Sequence, residues 1–430
     1  DNTLEIAERC NVMFDDHEDG AFMPQFDCPE GWDETSLFLK KVEEGLERRY
    51  DGHPPIEVLK QADYECGVIC QMQFCGYFLV VADYINWAKS HGVMVGPGRG
   101  SAAGAMVAYA MGITELDPIK HGLIFERFLN PERVSLPDID VDFDPDGRGR
   151  VLDYVGDKYG RDKVAQCVIY GTIKTKQALK DSARIMGYEF SMGERITKAL
   201  PPAQTGGKDI PLHDIFEPSS KRYAEAREFR ELYDSDPDVK RVTDEAMGIE
   251  GLIRQTGVHA CATIMGSEPI SNTSPLLERT DGTVTTTLEY HTCETLGLVK
   301  MDFLGLSNLT VIRDTLNNIE ANGKTRIDHT KIPLDDRATY DLLSQLDSDG
   351  MRSLLKTLKP NNFNDISALI ALYRPGPMDM DSHTNYAKRK NGLQKITPIH
   401  PEVAEPLKEV LDETYGLIVY QEQVQSAARI

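Results

Sequence analysis

The segment Pro137-Asp138-Ile139-Asp140-Val141-Asp142-Phe143 alternates carboxylates with apolar side chains. On a β-strand, alternate side chains share a face. Asp138, Asp140 and Asp142 would then point one way, and Ile139, Val141 and Phe143 into a core. Carboxylates crowded on one face repel unless a cation sits among them. Hard divalent ions such as Mg²⁺ accept oxygen ligands of this kind. Two such ions held about 4 Å apart can activate a 3′-hydroxyl and stabilise a leaving pyrophosphate. The bland alternative is an exposed polar strand edge. A rival metal reading overlaps it: Asp142-x-Asp144-x-Asp146-Gly147, with Asp153 in twelfth place, approximates a calcium loop. That template fits imperfectly. Its twelfth residue is Asp rather than Glu, Gly149 stands where an apolar residue is usual, and a strand rather than a helix precedes it.

Further residues carry weaker signals. In Leu298-Val-Lys300-Met-Asp302-Phe, Lys300 and Asp302 share a strand face. Beside the first strand they would complete a three-carboxylate site with a lysine for phosphate charge; alone they read as a surface salt bridge. Gly96-Pro-Gly98-Arg99-Gly100-Ser101 precedes an apolar helix. Its glycines would let the backbone approach a phosphate, Ser101 and helix amides could bind it, and Arg99 adds charge. It is neither a P-loop nor a Rossmann turn, and a capping turn explains it equally well. Lys174, Lys176, Lys180 and Arg184 recur near helical spacing, either as a solvated face or as contacts to DNA phosphates. His259 and Cys261 share a strand face, but no third group orients them, and they read as structural. Cys66, Cys70 and Cys75 lack the paired spacing of a zinc site, so the eight cysteines read as free thiols.

The elements that must position these residues follow from pattern. Residues 36–92 show helical periodicity, with GYFLVVADYINWAK as a buried helix. LPDIDVDFDP and GLVKMDFLGL read as strands. VLDYVGDKYG, QALKDSARIMGY and residues 220–247 read as helices, and residues 199–219 as a loop-rich excursion. SNLTVIRDTLNNIEANG reads as a helix ending at Gly323, ALYRPGPM as a sharp break, and TYGLIVYQEQVQSAARI as strand then helix. The order implies an α+β, mixed α/β fold with a helical insertion. The chain has 430 residues and a net charge of −22. That acidity argues against nucleic acid taken alone. Between Arg148 and Lys198, however, eleven Lys and Arg stand against six Asp and Glu, and the local field outweighs the total. No apolar run reaches bilayer length. The start at Asp1 suggests a piece of a longer chain.

At these residues the sequence resembles the alpha subunits of bacterial DNA polymerase III, the C-family polymerases. The matching stretches are GYFLVVADYINWAK, VGPGRGSAAG, FERFLNPERVSLPDIDVDF, GLVKMDFLGL, ALYRPGPM and YGLIVYQEQV, in the family's order. SHTNYAKRKNG and TPIHPE resemble actinobacterial members. The resemblance implies a nucleotidyltransferase-like palm sheet with a helical thumb insertion and a largely helical fingers part. It divides the chain into a lead-in at 1–35, palm at 36–168 and 258–305, thumb at 169–257, and truncated fingers at 306–430. It implies catalytic, metal-holding aspartates at Asp138, Asp140 and Asp302, with two Mg²⁺ for which Mn²⁺ can substitute. Asp142 falls on an additional acidic position. Gly100, Ser101, Arg99, Lys300 and Arg374 fall on the substrate side, and Lys174, Lys176, Lys180 and Arg184 on the DNA side. The implied reaction is template-directed addition of dNTPs to a primer 3′ end in a bacterial cytoplasm, off the membrane. The implied partners are primer–template DNA and, in the whole protein, a sliding clamp, a clamp loader and a proofreading exonuclease. Against the family, the chain lacks an N-terminal phosphoesterase-like domain, everything after Ile430, and several residues between Ser344 and Gln345. Two alternatives stay open: a nucleotidyltransferase that needs no template, and a non-catalytic DNA-binding or calcium-stabilised module.

Overall fold

A computed structural model describes residues 2–11, 22–132, 136–203, 209–345 and 350–430. Contacts divide the chain into two units, Asp1–His121 with Phe125–Ile312 and Gly122–Ile124 with Arg313–Ile430.

The first unit is built on a mixed six-stranded sheet. Its strands are β1 (Asp140–Phe143), β2 (Val164–Thr172), β3 (Ile253–Met265), β4 (Leu276–Glu278), β5 (Val284–Thr286) and β6 (Val299–Gly305), in the order β1-β6-β3-β2-β5-β4. β1 runs parallel to β6, with Asp140 paired to Asp302. β6 runs antiparallel to β3, with Asp302 paired to Ala262. The alternation works as expected on β6. Val299, Met301 and Phe303 enter the main core, while Lys300 and Asp302 take the other face. The helix Cys75–Ser90 backs this core, and eleven of its sixteen residues are buried. So broad an apolar surface marks a helix enclosed by packing rather than one lying on a surface. Among the described residues no single helix is long and apolar enough to cross a membrane.

The helical insertion leaves the sheet from β2 and re-enters it at β3. Thr172 and Ile253 are paired across its root, and just beyond it Ile173 N–H donates to the Leu252 carbonyl while Gly251 N–H donates to the Ile173 carbonyl. Its helices, among them Thr175–Ile185, Phe190–Lys198, Arg227–Ser235 and Pro237–Ile249, bury a core of their own around Leu179, Ile196, Phe229 and Val242. Part of the loop-rich excursion, 204–208, lies outside the described residues.

The second unit is helical among its described residues, with a core of Leu354, Leu358, Leu369, Leu372 and Tyr386. The helix Ser307–Ala321 ends before Gly323, whose φ is 73°. The expected strand in TYGLIVY does not form. Val419 and Tyr420 instead donate their N–H groups to the Gln423 side chain, which starts the helix Gln421–Arg429.

Candidate active site

Three of the sequence-predicted carboxylates meet. One oxygen from each of Asp138, Asp140 and Asp302 lies within 4.8 Å of the others. Pairing of β1 with β6 brings together residues 162 apart in the chain, because Asp140 and Asp302 are direct register partners. The strand is shorter than its alternation suggested. β1 begins at Asp140, so Asp138 enters the site from the segment leading into the ladder. Pro137 supplies no N–H for a ladder bond, which favours a late start.

Lys300 sits among the carboxylates. Its Nζ donates to Asp302 Oδ2 at 2.6 Å and to Asp138 Oδ1 at 3.5 Å, and lies 5.6 Å from the Tyr290 ring centroid. Burial alone would favour a neutral lysine. Asp302, Asp138 and Glu294 outweigh it and hold the ammonium well above its ordinary value. Asp140 moves the other way for a carboxyl: burial, then the charges of Asp138 and Asp302, push it up to about 6 against a partial counterweight from Arg99. Asp302 Oδ1 is buried with no hydrogen-bond partner. A carboxylate oxygen left bare at that depth is costly unless a cation or a donor meets it. The residues therefore fit a divalent ion held by Asp138, Asp140 and Asp302.

The glycine-rich segment lies along the other side of β1. Val95 bridges Phe143, and Gly96 N–H donates to the Asp142 carbonyl at 2.8 Å. A Cβ on Gly96 would stand 2.9 Å from the Asp142 Cβ, too close to be accepted. Gly100 has a φ of 63°, and a Cβ there would be 3.8 Å from Asp140 Oδ2. The bare turn thus runs beside the carboxylates. Ser101 follows in the 3₁₀ turn Gly100–Gly104. Arg99 spans Asp142 Oδ1 (Nη1, 3.1 Å) and Asp140 Oδ2 (Nε, 3.8 Å). Asp142 shares the face, as the alternation predicts, but its side chain is engaged by Arg99.

The calcium-loop reading fails on geometry. Asp144 caps the helix Pro145–Tyr159. Its Oδ1 accepts the N–H groups of Asp146 and Gly147, and its Oδ2 that of Met94. Both oxygens are therefore satisfied by backbone amides. His259 and Cys261 do meet, with the Cys261 Sγ 3.5 Å from the His259 Nδ1. His259 Nδ1 accepts the N–H groups of Cys261 and Ala262, at an irregular stretch of β3 where four residues, 259–262, stand opposite Cys167 of β2. Cys66, Cys70 and Cys75 are free, with the Cys70 and Cys75 sulfurs 3.4 Å apart.

Lys174, Lys176, Lys180 and Arg184 lie on or beside the helix Thr175–Ile185 of the insertion, away from the carboxylates in sequence and in core. Three of them are paired: Lys176 with Asp209 at 2.8 Å, Lys180 with Glu194 at 2.5 Å, and Arg184 with Asp181 at 3.2 Å. Arg374 belongs to the second unit, at the start of the short helix Pro375–Asp379. The sequence reading missed the helix Tyr290–Thr295. Its His291, Glu294 and Thr295 line a cleft of about 380 Å³ with Asp138 and Lys300. Burial raises the Glu294 carboxyl above its ordinary value despite Lys300 nearby. A short polar helix between strands leaves no periodic signal.

Comparison with known proteins decides the family. The family profile described as the bacterial DNA polymerase III alpha NTPase domain matches residues 36–305. The alpha-subunit finger-domain profile matches residues 308–430. The chain belongs to the bacterial DNA polymerase III alpha family. It is similar along its whole length to DNA polymerase III subunit alpha of Mycobacterium tuberculosis H37Rv, with 54% identity. It is also similar to the subunits of that name from Aquifex aeolicus (41%) and Thermus aquaticus (38%), again over all of this chain. It spans 37% of the length of the M. tuberculosis protein and 39% of the other two. The two profiles meet at residues 305 and 308, where β6 passes into the helix Ser307–Ala321.

Proposed function

We propose that this chain carries the nucleotidyl-transfer site of a replicative DNA polymerase, extending a primer 3′ end on a DNA template from dNTPs. The observation that carries the reading is the meeting of Asp138, Asp140 and Asp302 across two strands, with Lys300 among them. In this reading β1, β6 and β3 form the palm, residues 169–257 the thumb, and residues from 306 the first part of the fingers. Asp138, Asp140 and Asp302 would hold two Mg²⁺, with Mn²⁺ able to replace them. When bound, these ions lower the pKa of the primer hydroxyl and neutralise charge on the leaving pyrophosphate. The residues do the rest by position and charge. Asp140 loses its proton above about pH 6 and becomes available as a ligand. Gly100 leaves room beside Asp140 for a phosphate oxygen, and Ser101 and Arg99 flank it. Lys300, protonated at any working pH, holds positive charge where the triphosphate would lie. Asp142 orients Arg99 rather than binding metal.

The test is calorimetry of Mn²⁺ binding in the presence of a deoxynucleoside triphosphate. Asp302→Ala is expected to weaken binding by at least about a hundredfold, since it removes the buried ligand. Asp146→Ala is expected to leave it within about twofold, since its side chain is not one of the converging three. Equal affinity for all three proteins, or loss only in Asp146→Ala, would overturn the reading.

A further inference from the structure

Asp138 reaches the site from outside the β-ladder, so something other than strand pairing must hold its backbone. On one side is Pro137, whose ring fixes its own φ. On the other is the peptide linking Asp138 to Ile139. The N–H of that peptide donates to the Tyr77 hydroxyl at 3.1 Å. Both partners are buried: Tyr77 is fully enclosed and Ile139 is 2% exposed. Tyr77 lies near the start of the Cys75–Ser90 helix, behind the sheet. A buried N–H one residue ahead of the ladder would lack a partner without it. The same helix carries a natural comparison. Tyr84, about two turns on, is also fully enclosed and packs its ring 4.9 Å from that of Phe303 on β6. Its hydroxyl has no hydrogen-bond partner. Two equally buried tyrosines on one helix thus differ in whether the hydroxyl is used.

We propose that Tyr77 is a positioning residue for Asp138. Its hydroxyl fixes the Asp138–Ile139 peptide and so sets the direction from which the Asp138 carboxylate enters the site. Asp138 needs this more than Asp140 or Asp302 does. Those two are register partners within the ladder, whereas the Asp138 side chain is 62% exposed and its Lys300 contact is long at 3.5 Å. The inference rests on the metal-holding reading above.

The test compares Tyr77→Phe, Tyr84→Phe and the unaltered chain by Mn²⁺ calorimetry with a deoxynucleoside triphosphate, with thermal melting alongside. Tyr77→Phe leaves a buried N–H unpaired and is expected to weaken Mn²⁺ binding about tenfold. Tyr84→Phe removes a hydroxyl that bonds to nothing and is expected to bind as the unaltered chain does. Unchanged binding in Tyr77→Phe, or equal weakening in both, overturns the proposal, the latter because it would mean general loosening of the core. Failure of the unaltered chain to bind Mn²⁺ would instead sink the functional reading. Hydrogen exchange on the unaltered chain gives a measurement free of folding defects. The Ile139 amide is expected to be protected as strongly as the amides of β1, and fast exchange there overturns the proposal.

Discussion

Charge is handled in opposite ways by the carboxylate face of the sheet and by the helical insertion. On the sheet, Asp138, Asp140 and Asp302 converge around one internal ammonium, Lys300, and one buried oxygen stays bare. In the insertion, Lys176, Lys180 and Arg184 each have a carboxylate partner within the same helical module. The first arrangement is short of positive charge and invites a cation from outside. In the second these three cations are already paired, and their attraction for a polyanion requires pairs to open. Burial sharpens the difference. The Lys300 and Asp302 side chains are 14% and 10% exposed, against 36% for both Lys180 and Glu194, so water screens the insertion pairs far more.

This contrast is open to measurement, beginning with Lys300. Lys300→Met removes the internal cation and should split two affinities. Mn²⁺ without nucleotide should bind more tightly, because a competing positive charge is gone. Triphosphate binding should weaken by about tenfold or more, as expected when a charged hydrogen-bond donor is lost. Calorimetry of each ligand separately would show it, and parallel changes would break the contrast.

The next effect is pH. Asp140 is raised from 3.8 to about 6 in the folded chain, so the folded state takes up a proton more readily than the unfolded one. Between about pH 6 and pH 4 this group makes the fold more stable as pH falls. Metal affinity should move the opposite way, since the proposed ligand is being protonated. Mn²⁺ should bind about tenfold more weakly at pH 5 than at pH 7, and Asp140→Asn should abolish this step, leaving weak binding that is flat with pH. Calorimetry at the two pH values decides it.

Asp142→Asn is expected to do less. It loosens Arg99 without removing one of the three proposed metal ligands, so triphosphate affinity should fall about threefold to fivefold while Mn²⁺ affinity alone holds. A fall in Mn²⁺ affinity as large as that of Asp302→Ala would make Asp142 a fourth ligand. The smallest effect belongs to the insertion. Glu194→Gln with Asp209→Asn frees Lys180 and Lys176, and should raise affinity for duplex DNA by about twofold to threefold at low salt and less at high salt. Titration by fluorescence anisotropy at two salt concentrations would check this. No change would mean that this helix does not face the duplex.

Much of the site was legible because strand alternation is a local code. Asp140 and Asp142 fall on one face, Val141 and Phe143 on the other, as period-two spacing requires. The glycine segment was legible for a similar reason, since Gly96 stands where a side chain cannot and Gly100 takes a positive φ that favours glycine. Other features were hidden. The VAQCVIYGT stretch forms β2, yet nothing marks it as a sheet interior until β3 returns from the far side of the insertion. YGLIVY looks like a strand by composition, but Gln423 captures its amides. The lysine pattern on the Thr175–Ile185 helix looked like a free basic face because Asp209 and Glu194 come from other parts of the insertion.

The sequence by itself determined which residue types could bind a divalent cation and which faces they would occupy, because those depend on neighbours a few positions away. Tertiary structure alone decided which carboxylates share a site. Asp302 joins Asp140 only because β6 lies parallel beside β1 in that register, and Asp144 is excluded only because its oxygens meet the amides of Met94, Asp146 and Gly147. Metal affinity grows from charges brought within a few ångströms, and distance along the chain carries no record of distance in space.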